Sequence, residues 1–273
     1  MLKQRIITAL ALAIIFIGTI LLADSRWLVV LFTAALFAAV YELVMLTVKP
    51  GLTAGISIAA MIAALFWVST EYSGMRVNFY QSIGGLVLWI AIVGVLLRYR
   101  FSGQWSLTVR AILLLLSIGL LWICVHGLVF VHQHFEQGGW ILLYLLTLVW
   151  LADIGAYFSG RKFGKHKLAP GISPGKTWEG VAGGIILNLG WILIVFQFSG
   201  GWGIELWQFL LIGLASSVIS VVGDLYESIL KREAMVKDSS KLLPGHGGVL
   251  DRIDSLIAAT PVFVVGLFAA GAV

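Results

Sequence analysis

Residues 111–131 read AILLLLSIGLLWICVHGLVFV, a run without a single Asp, Glu, Lys or Arg. At about 1.5 Å per residue, a helix of this length crosses the ~30 Å hydrocarbon layer of a bilayer. Lipid offers no hydrogen-bond partners, so the backbone must pair within the segment, and the run reads as a transmembrane helix. Composition extends that reading to the whole chain. Of 273 residues, 60% are hydrophobic and 11% charged, against about 45–50% and about 25% in soluble domains. One soluble core cannot hide so much apolar surface, which excludes disordered, collagenous, coiled-coil and soluble-enzyme architectures. The 31 glycines suit close helix packing in lipid. Cys124 is the single cysteine, so neither an intramolecular disulfide nor a thiol-rich metal site is available.

On either side of this run, apolar stretches of about 17–25 residues recur at 6–23, 27–47, 52–70, 81–97, 139–158, 178–198, 205–227 and 254–272. The fold class is all-α: a polytopic integral membrane protein of about nine transmembrane helices. The spans divide into an N-terminal group, 1–135, and a C-terminal group, 136–273, whose loops at 160–177 and 229–253 hold the densest polar clusters. The first span follows Lys3 and Arg5 as a signal peptide would. Leu21 and Ala23 make a poor cleavage site, however, so it reads as an uncleaved anchor.

Sorting the 18 Lys and Arg by these spans puts sixteen on one side and only Arg26 and Arg76 on the other. The positive-inside rule then places the N-terminus in the cytoplasm and the C-terminus outside. The net charge of +5 is a property of the cytoplasmic face. It favours anionic lipid headgroups and anionic soluble substrates. Nucleic acid is not an expected partner, because there is no basic, aromatic-laced soluble domain.

On the outer side, His132 and His134 near Glu136 read as a wetted loop rather than a metal site, and His126 as a packing histidine. Glu42 lies within the second span, where a carboxylate costs about 2.5–3.5 kcal/mol. It either faces the bundle interior or snorkels from the cytoplasmic end.

The loop at 160–177 contains Pro170-Gly171-Ile172-Ser173-Pro174-Gly175-Lys176-Thr177. It falls short of a phosphate-binding P-loop, since three residues rather than four separate Gly171 from Gly175 and no strand precedes it. Ser173 and Pro174 fit an N-cap and first turn. Gly175, Lys176 and Thr177 would then lie at a helix start, where free N–H groups and the dipole attract phosphate. Just upstream, Asp153 sits among Ala152, Gly155, Ala156 and Ser159, small residues that permit close approach.

Residues 223–254 carry the strongest signal. Asp224, Glu227, Ser228 and Lys231 share one helix face. Beyond them come Arg232, Lys237, Asp238, the bend Pro244-Gly245-His246-Gly247-Gly248, and then Asp251, Arg252 and Asp254. Glycines at the bend let backbone approach a ligand. Acids interleaved with bases suit metal-bound phosphates, with carboxylates on a hard cation and Lys or Arg on phosphate oxygens.

Here the sequence resembles the phosphatidate cytidylyltransferase (CDP-diacylglycerol synthase) family. That family's signature reads Ser-x-apolar-Lys-Arg, four residues, Lys-Asp, a Pro-x-His-Gly-Gly bend, then apolar-x-Asp-Arg-apolar-Asp. It runs without a gap from Ser228 through Lys231-Arg232, Lys237-Asp238, Pro244, His246-Gly247-Gly248 and Asp251-Arg252 to Asp254. The segments 173–180 and 152–157 are also similar to a family region. Met235 and Lys241 depart from it, where glycine and asparagine are more usual.

The resemblance implies transfer of the cytidylyl group of CTP to phosphatidic acid, giving CDP-diacylglycerol and pyrophosphate. It implies Mg²⁺ held by Asp224 and Asp251 with Asp254 in support, leaving a second cation open. Lys231, Arg232, Lys237 and Arg252 would neutralise phosphates, with Lys176 reaching a phosphate from the other loop. Ser228 and His246 would donate hydrogen bonds, while Ser173, Thr177, Glu179, Asp153, Asp238, Gly247 and Gly248 would line the substrates. A bacterial inner membrane with the site at its cytoplasmic face is implied too. A homodimer is compatible, for which Gly180 and Gly184 are packing candidates.

Three rivals make different demands. A transporter would use Glu42 and Asp153 as relay groups near the midplane, yet the polar residues concentrate on one side. A CDP-alcohol phosphatidyltransferase needs an Asp-Gly-x-x-Ala-Arg motif, which the sequence lacks. A silent scaffold would not need the retained acids.

Overall fold

The computed structural model describes residues 13–71, 74–99 and 105–272. The helices, in chain order, are α1 (Ala13–Leu22), α2 (Ser25–Thr47), α3 (Leu52–Thr70), α4 (Met75–Arg98), α5 (Leu107–His134), α6 (Gly138–Phe163), α7 (Trp178–Ser199), α8 (Leu206–Glu233) and α9 (Leu250–Ala269). The last eight are long and apolar enough to cross a membrane. Residues 6–12 of the first expected span, with Lys3, Arg5 and Arg100, lie outside the described residues. The remaining spans match the apolar runs closely. The larger differences are extensions, since α4 begins at Met75, α6 continues to Phe163 and α8 to Glu233.

Helix α9 packs against α8, α4 and α5 and also touches α6 and α2. It carries Pro261, whose ring removes the N–H that would bond the carbonyl of Ile257. The indole Nε1 of Trp89, on α4, donates to that carbonyl at 3.3 Å instead. On α2, Leu28, Phe32, Leu36, Val40 and Leu43 are buried at helical spacing. By contrast, α3 and α4 expose Met61, Leu65, Val68, Val87 and Ile90, as lipid-facing helices do.

Between α6 and α7 the chain forms a two-stranded antiparallel hairpin, β1 (Lys167–Ala169) with β2 (Ser173–Thr177). This corrects the expected helix start at Ser173 and Pro174. Thr177 makes the cap, its hydroxyl accepting from Gly180 N at 3.1 Å, so the helix begins at Trp178. Pro174 is tolerated because a two-stranded hairpin consists only of edge strands. Ile172, at the turn, is buried against Leu225 and Ile229 of α8, and Arg232 Nε donates to its carbonyl at 3.1 Å.

Candidate active site

The C-terminal ends of α2, α6 and α8 and the N-terminal ends of α7 and α9 gather on one side, since the contacts of Glu42, Lys176, Asp224 and Asp251 link all five elements or the strand leading into them. A cavity of about 550 Å³ opens between α6, α7, α8 and β2, within the range of small-molecule sites. Ala152, Val181, Ile185 and Val221 give it an apolar lining; Asp153, Arg161, Ser173, Lys176, Thr177, Ser217 and Asp224 give it polar groups.

Small residues make this geometry. A Cβ on Gly155 would lie 2.8 Å from the Gly183 carbonyl oxygen, and one on Gly184 would lie 2.6 Å from that of Ala152. One on Gly180 would stand 3.0 Å from the Ala156 oxygen. Backbones of α6 and α7 therefore touch directly. Gly180 and Gly184, candidates for packing a second copy, are covered by α6 of the same chain. Deeper in the membrane, Asn188 Nδ2 bonds the Leu148 carbonyl at 2.8 Å and Ser217 Oγ at 2.7 Å, fixing α7 to α6 and α8.

Strand β2 carries Lys176 across the cavity mouth to Asp224, with Nζ 2.5 Å from Oδ2. The other Asp224 oxygen accepts from Ser228 Oγ at 3.4 Å. Asp153 faces the same cavity and interacts electrostatically with Asp224, Lys176 and Arg252. Among the described residues it makes neither hydrogen bond nor ion pair. Glu179 is turned away from this group: it binds His166 at 2.6 Å and closes the base of the hairpin.

A second cluster lies beside the first. Asp251 Oδ1 receives Lys231 Nζ at 2.7 Å, and Lys231 also pairs with Glu227. Asp251 Oδ2 accepts Ser239 N and Ser239 Oγ, each at 2.9 Å, and Gly248 N at 2.8 Å. Gly247 stands at φ +84°, and a Cβ there would lie 2.7 Å from Asp251 Oδ2. The bend therefore needs glycine both for its dihedral and for its distance from the carboxylate. Glu42 accepts Ser240 Oγ, Val249 N and Leu250 N at 2.7, 3.0 and 2.8 Å, and at 3.1 Å it shares the single hydroxyl proton of Ser239 with Asp251. It faces the bundle interior and is 1% exposed, which decides between its two sequence readings.

Among the described residues, no group of three or more His, Cys, Asp or Glu converges on one metal position. A magnesium ion commonly takes one or two carboxylates and fills its remaining positions with water and substrate phosphate. Asp153 and Asp224, both open to the cavity, fit that donor set. In this arrangement Asp251 is committed to four donors, while Asp254 Oδ1 accepts Ser255 N at 2.7 Å and adjoins Glu227.

A family model described as "Cytidylyltransferase family" matches residues 3–269. The phosphatidate cytidylyltransferase of Pseudomonas aeruginosa is 41% identical over 99% of this chain and 98% of its own length. That of Bacillus subtilis is 34% identical over 97% and 98%. The enzyme of the same name from Haemophilus influenzae is 57% identical over 46% of this chain and 45% of its own.

The chain belongs to the cytidylyltransferase family.

In this cytidylyltransferase the expected residues fall into separate groups. Asp153, Ser173, Lys176, Thr177 and Asp224 line the cavity, with Ser228 bonded to Asp224. Lys231, Gly248 and Asp251 meet in the second cluster, Gly247 packs against it, and Asp254 adjoins Glu227. Arg232 holds the hairpin through one nitrogen, and Glu179 holds His166. Lys237, Asp238 and Arg252 are exposed around the cytidylyltransferase signature. His246 bends back, its N–H donating to the Leu243 carbonyl at 2.9 Å. Sequence reasoning gave no site role to Ser239, Ser240 or Glu227 and left Glu42 undecided. Glu227 carried a signal in its shared face with Asp224 and Lys231; the two serines carried none.

Proposed function

We propose that the chain is a phosphatidate cytidylyltransferase that transfers the cytidylyl group of CTP to phosphatidic acid at the cavity between α6, α7, α8 and β2. The observation that carries the location is that one cavity combines an apolar lining from Ala152, Val181, Ile185 and Val221 with the polar groups of Lys176, Asp224 and Asp153. That combination suits a lipid phosphate, whose charged head and apolar body need both environments.

A phosphatidate oxygen forms a bond to the α-phosphorus of CTP while the bond from that phosphorus to the bridging β-phosphate oxygen breaks. The bonding electrons leave with pyrophosphate. The nucleophile is already an anion, so no strong general base is required. The chemical difficulty is the approach of two anions and the charge on the leaving group, which positioned cations relieve. Lys176 and Arg161 at the cavity, with Arg252 electrostatically linked to Asp153, supply that charge. When CTP enters, phosphate oxygens compete with Asp224 for Lys176. Asp224 and Asp153 would hold Mg²⁺, which would supply positive charge against the negative charge that develops on the phosphates.

This end of the bundle lies, on this proposal, at the cytoplasmic face of a bacterial inner membrane, where CTP is available. The asymmetry of Lys and Arg supports that orientation. A homodimer would have to use a surface other than the Gly180–Gly184 seam, which α6 covers.

The test is an assay of purified protein in detergent micelles with CTP and phosphatidate, run against magnesium concentration and against chelator. CDP-diacylglycerol formation should rise with magnesium and stop with chelator. Asp153→Asn should require more magnesium for half-maximal rate. Full activity in chelator would remove the metal from this reading, and an unchanged magnesium requirement in Asp153→Asn would remove Asp153 as its ligand.

A further inference from the structure

Glu42 lies on α2, far in sequence from every residue of the family signature, yet its carboxylate is among the most buried charged groups described. Helix α9 begins without a cap of its own, because Val249 at the cap position has no side-chain acceptor. Glu42 supplies the acceptor instead, taking the first amides Val249 N and Leu250 N on its two oxygens at 3.0 and 2.8 Å. A negative charge there also faces the positive end of the helix dipole. The same carboxylate takes the hydroxyls of Ser239 and Ser240, so the interior of the segment linking α8 to α9 and the start of α9 are tied to one residue. Gly248 is required for this approach: a Cβ there would collide with both Glu42 Oε2 and Ser239 Oγ.

The contact continues into the cluster beside the cavity. Ser239 Oγ lies 3.1 Å from Glu42 Oε2 and 2.9 Å from Asp251 Oδ2. The opposite oxygen of Asp251 holds Lys231 at 2.7 Å. One buried carboxylate on α2 thus fixes the backbone that presents Asp251, and through Asp251 the ammonium of Lys231. Glu42 does not line the cavity, so it does not touch substrate there.

We propose that Glu42 is a positioning residue for cytidylyl transfer, clamping the Ser239–Ser240 turn and the start of α9 so that Arg252, next in sequence to Asp251, keeps its place beside Asp153 of the cavity. This rests on the catalytic reading given above. A glutamine at this position retains one acceptor oxygen and turns an NH₂ group toward donors. An aspartate retains the charge with a shorter reach.

The test compares wild type, Glu42→Gln and Glu42→Asp as purified full-length protein in micelles, with rates expressed per folded molecule from gel filtration. Glu42→Gln should lower kcat roughly tenfold or more while KM for CTP moves less than about threefold. Glu42→Asp should recover part of the lost kcat. If Glu42→Gln fails to fold, the same kcat and KM comparison is made with Glu42→Asp alone. A kcat within about twofold of wild type in the folded variant, or a loss confined to KM, overturns the proposal. If wild type forms no CDP-diacylglycerol, the catalytic reading falls and the proposal with it. Normal wild-type activity beside an unimpaired variant overturns the proposal alone.

Discussion

Met235 holds φ +60°, a left-handed conformation that costs a residue with a side chain about 1–2 kcal/mol. It stands just past the end of α8, where Val236 N bonds the Lys231 carbonyl and Met235 N that of Arg232, both at 2.9 Å. These two bonds form a Schellman closure, whose left-handed position is usually glycine. The glycine expected there from family resemblance thus has a backbone reason. Met235→Gly should raise the melting temperature in micelles, by about 1 kcal/mol of stability at most, without changing kcat. A lower melting temperature would show that the Met235 side chain contributes more than its backbone costs.

Lys176 offers the corresponding test of chemistry. Its Nζ is the cation nearest Asp224, and Lys176→Ala should reduce kcat/KM about a hundredfold, with Lys176→Arg retaining part of it. Equal activity in all three would place the phosphates elsewhere. Such residues were legible in the sequence because a charge in so apolar a chain stands out. Their partners were not. Asp251 presents the same letter whether it faces a metal or four hydrogen-bond donors, and only the path of residues 239–248 distinguishes the two.

At the scale of elements, the pairing of Trp89 with Ile257 compensates a backbone defect caused by Pro261. Trp89→Phe leaves that carbonyl without a partner inside the bundle and should destabilise the protein by about 1–3 kcal/mol. Pro261→Ala restores the missing helical N–H, so it should cost less in the Trp89→Phe background than alone; thermal unfolding of the four proteins measures this coupling. Additive losses would mean that the indole contributes only packing. A different outcome is expected at the α6–α7 seam. Gly184→Val has no room beside the Ala152 backbone, so it should separate the helices and abolish activity even where protein still inserts.

Helix positions were readable because length and continuous hydrophobicity decide them in lipid. The hairpin was not, since Ser173-Pro174 satisfies the rules for a helix start as well as those for an edge strand. Burial of Ile172 between α8 side chains chose the strand, and no local pattern records that contact.

Across the whole molecule, sequence separated an N-terminal group of spans from a C-terminal group holding the signature. The structure joins them through Glu42, which reaches from α2 to the start of α9. Its burial was half legible: a carboxylate within an apolar span signals a cost, but the donors that offset it come from distant segments. Orientation belongs to this scale as well. With the buried Cys124 replaced by alanine, Arg26→Cys should react with a membrane-impermeant thiol reagent in intact cells. Lys241→Cys should react only after permeabilisation, and the reverse pattern would invert the topology.

The central claim is that this cavity joins CTP to phosphatidate. Purified protein should be given phosphatidate and CTP labelled at its α-phosphorus, with lipid-soluble label and released pyrophosphate both counted. The expected result is equal amounts of labelled CDP-diacylglycerol and pyrophosphate, both dependent on phosphatidate and both strongly reduced in Asp224→Ala and Lys176→Ala. Pyrophosphate release without labelled lipid, or undiminished transfer in both variants, would contradict it.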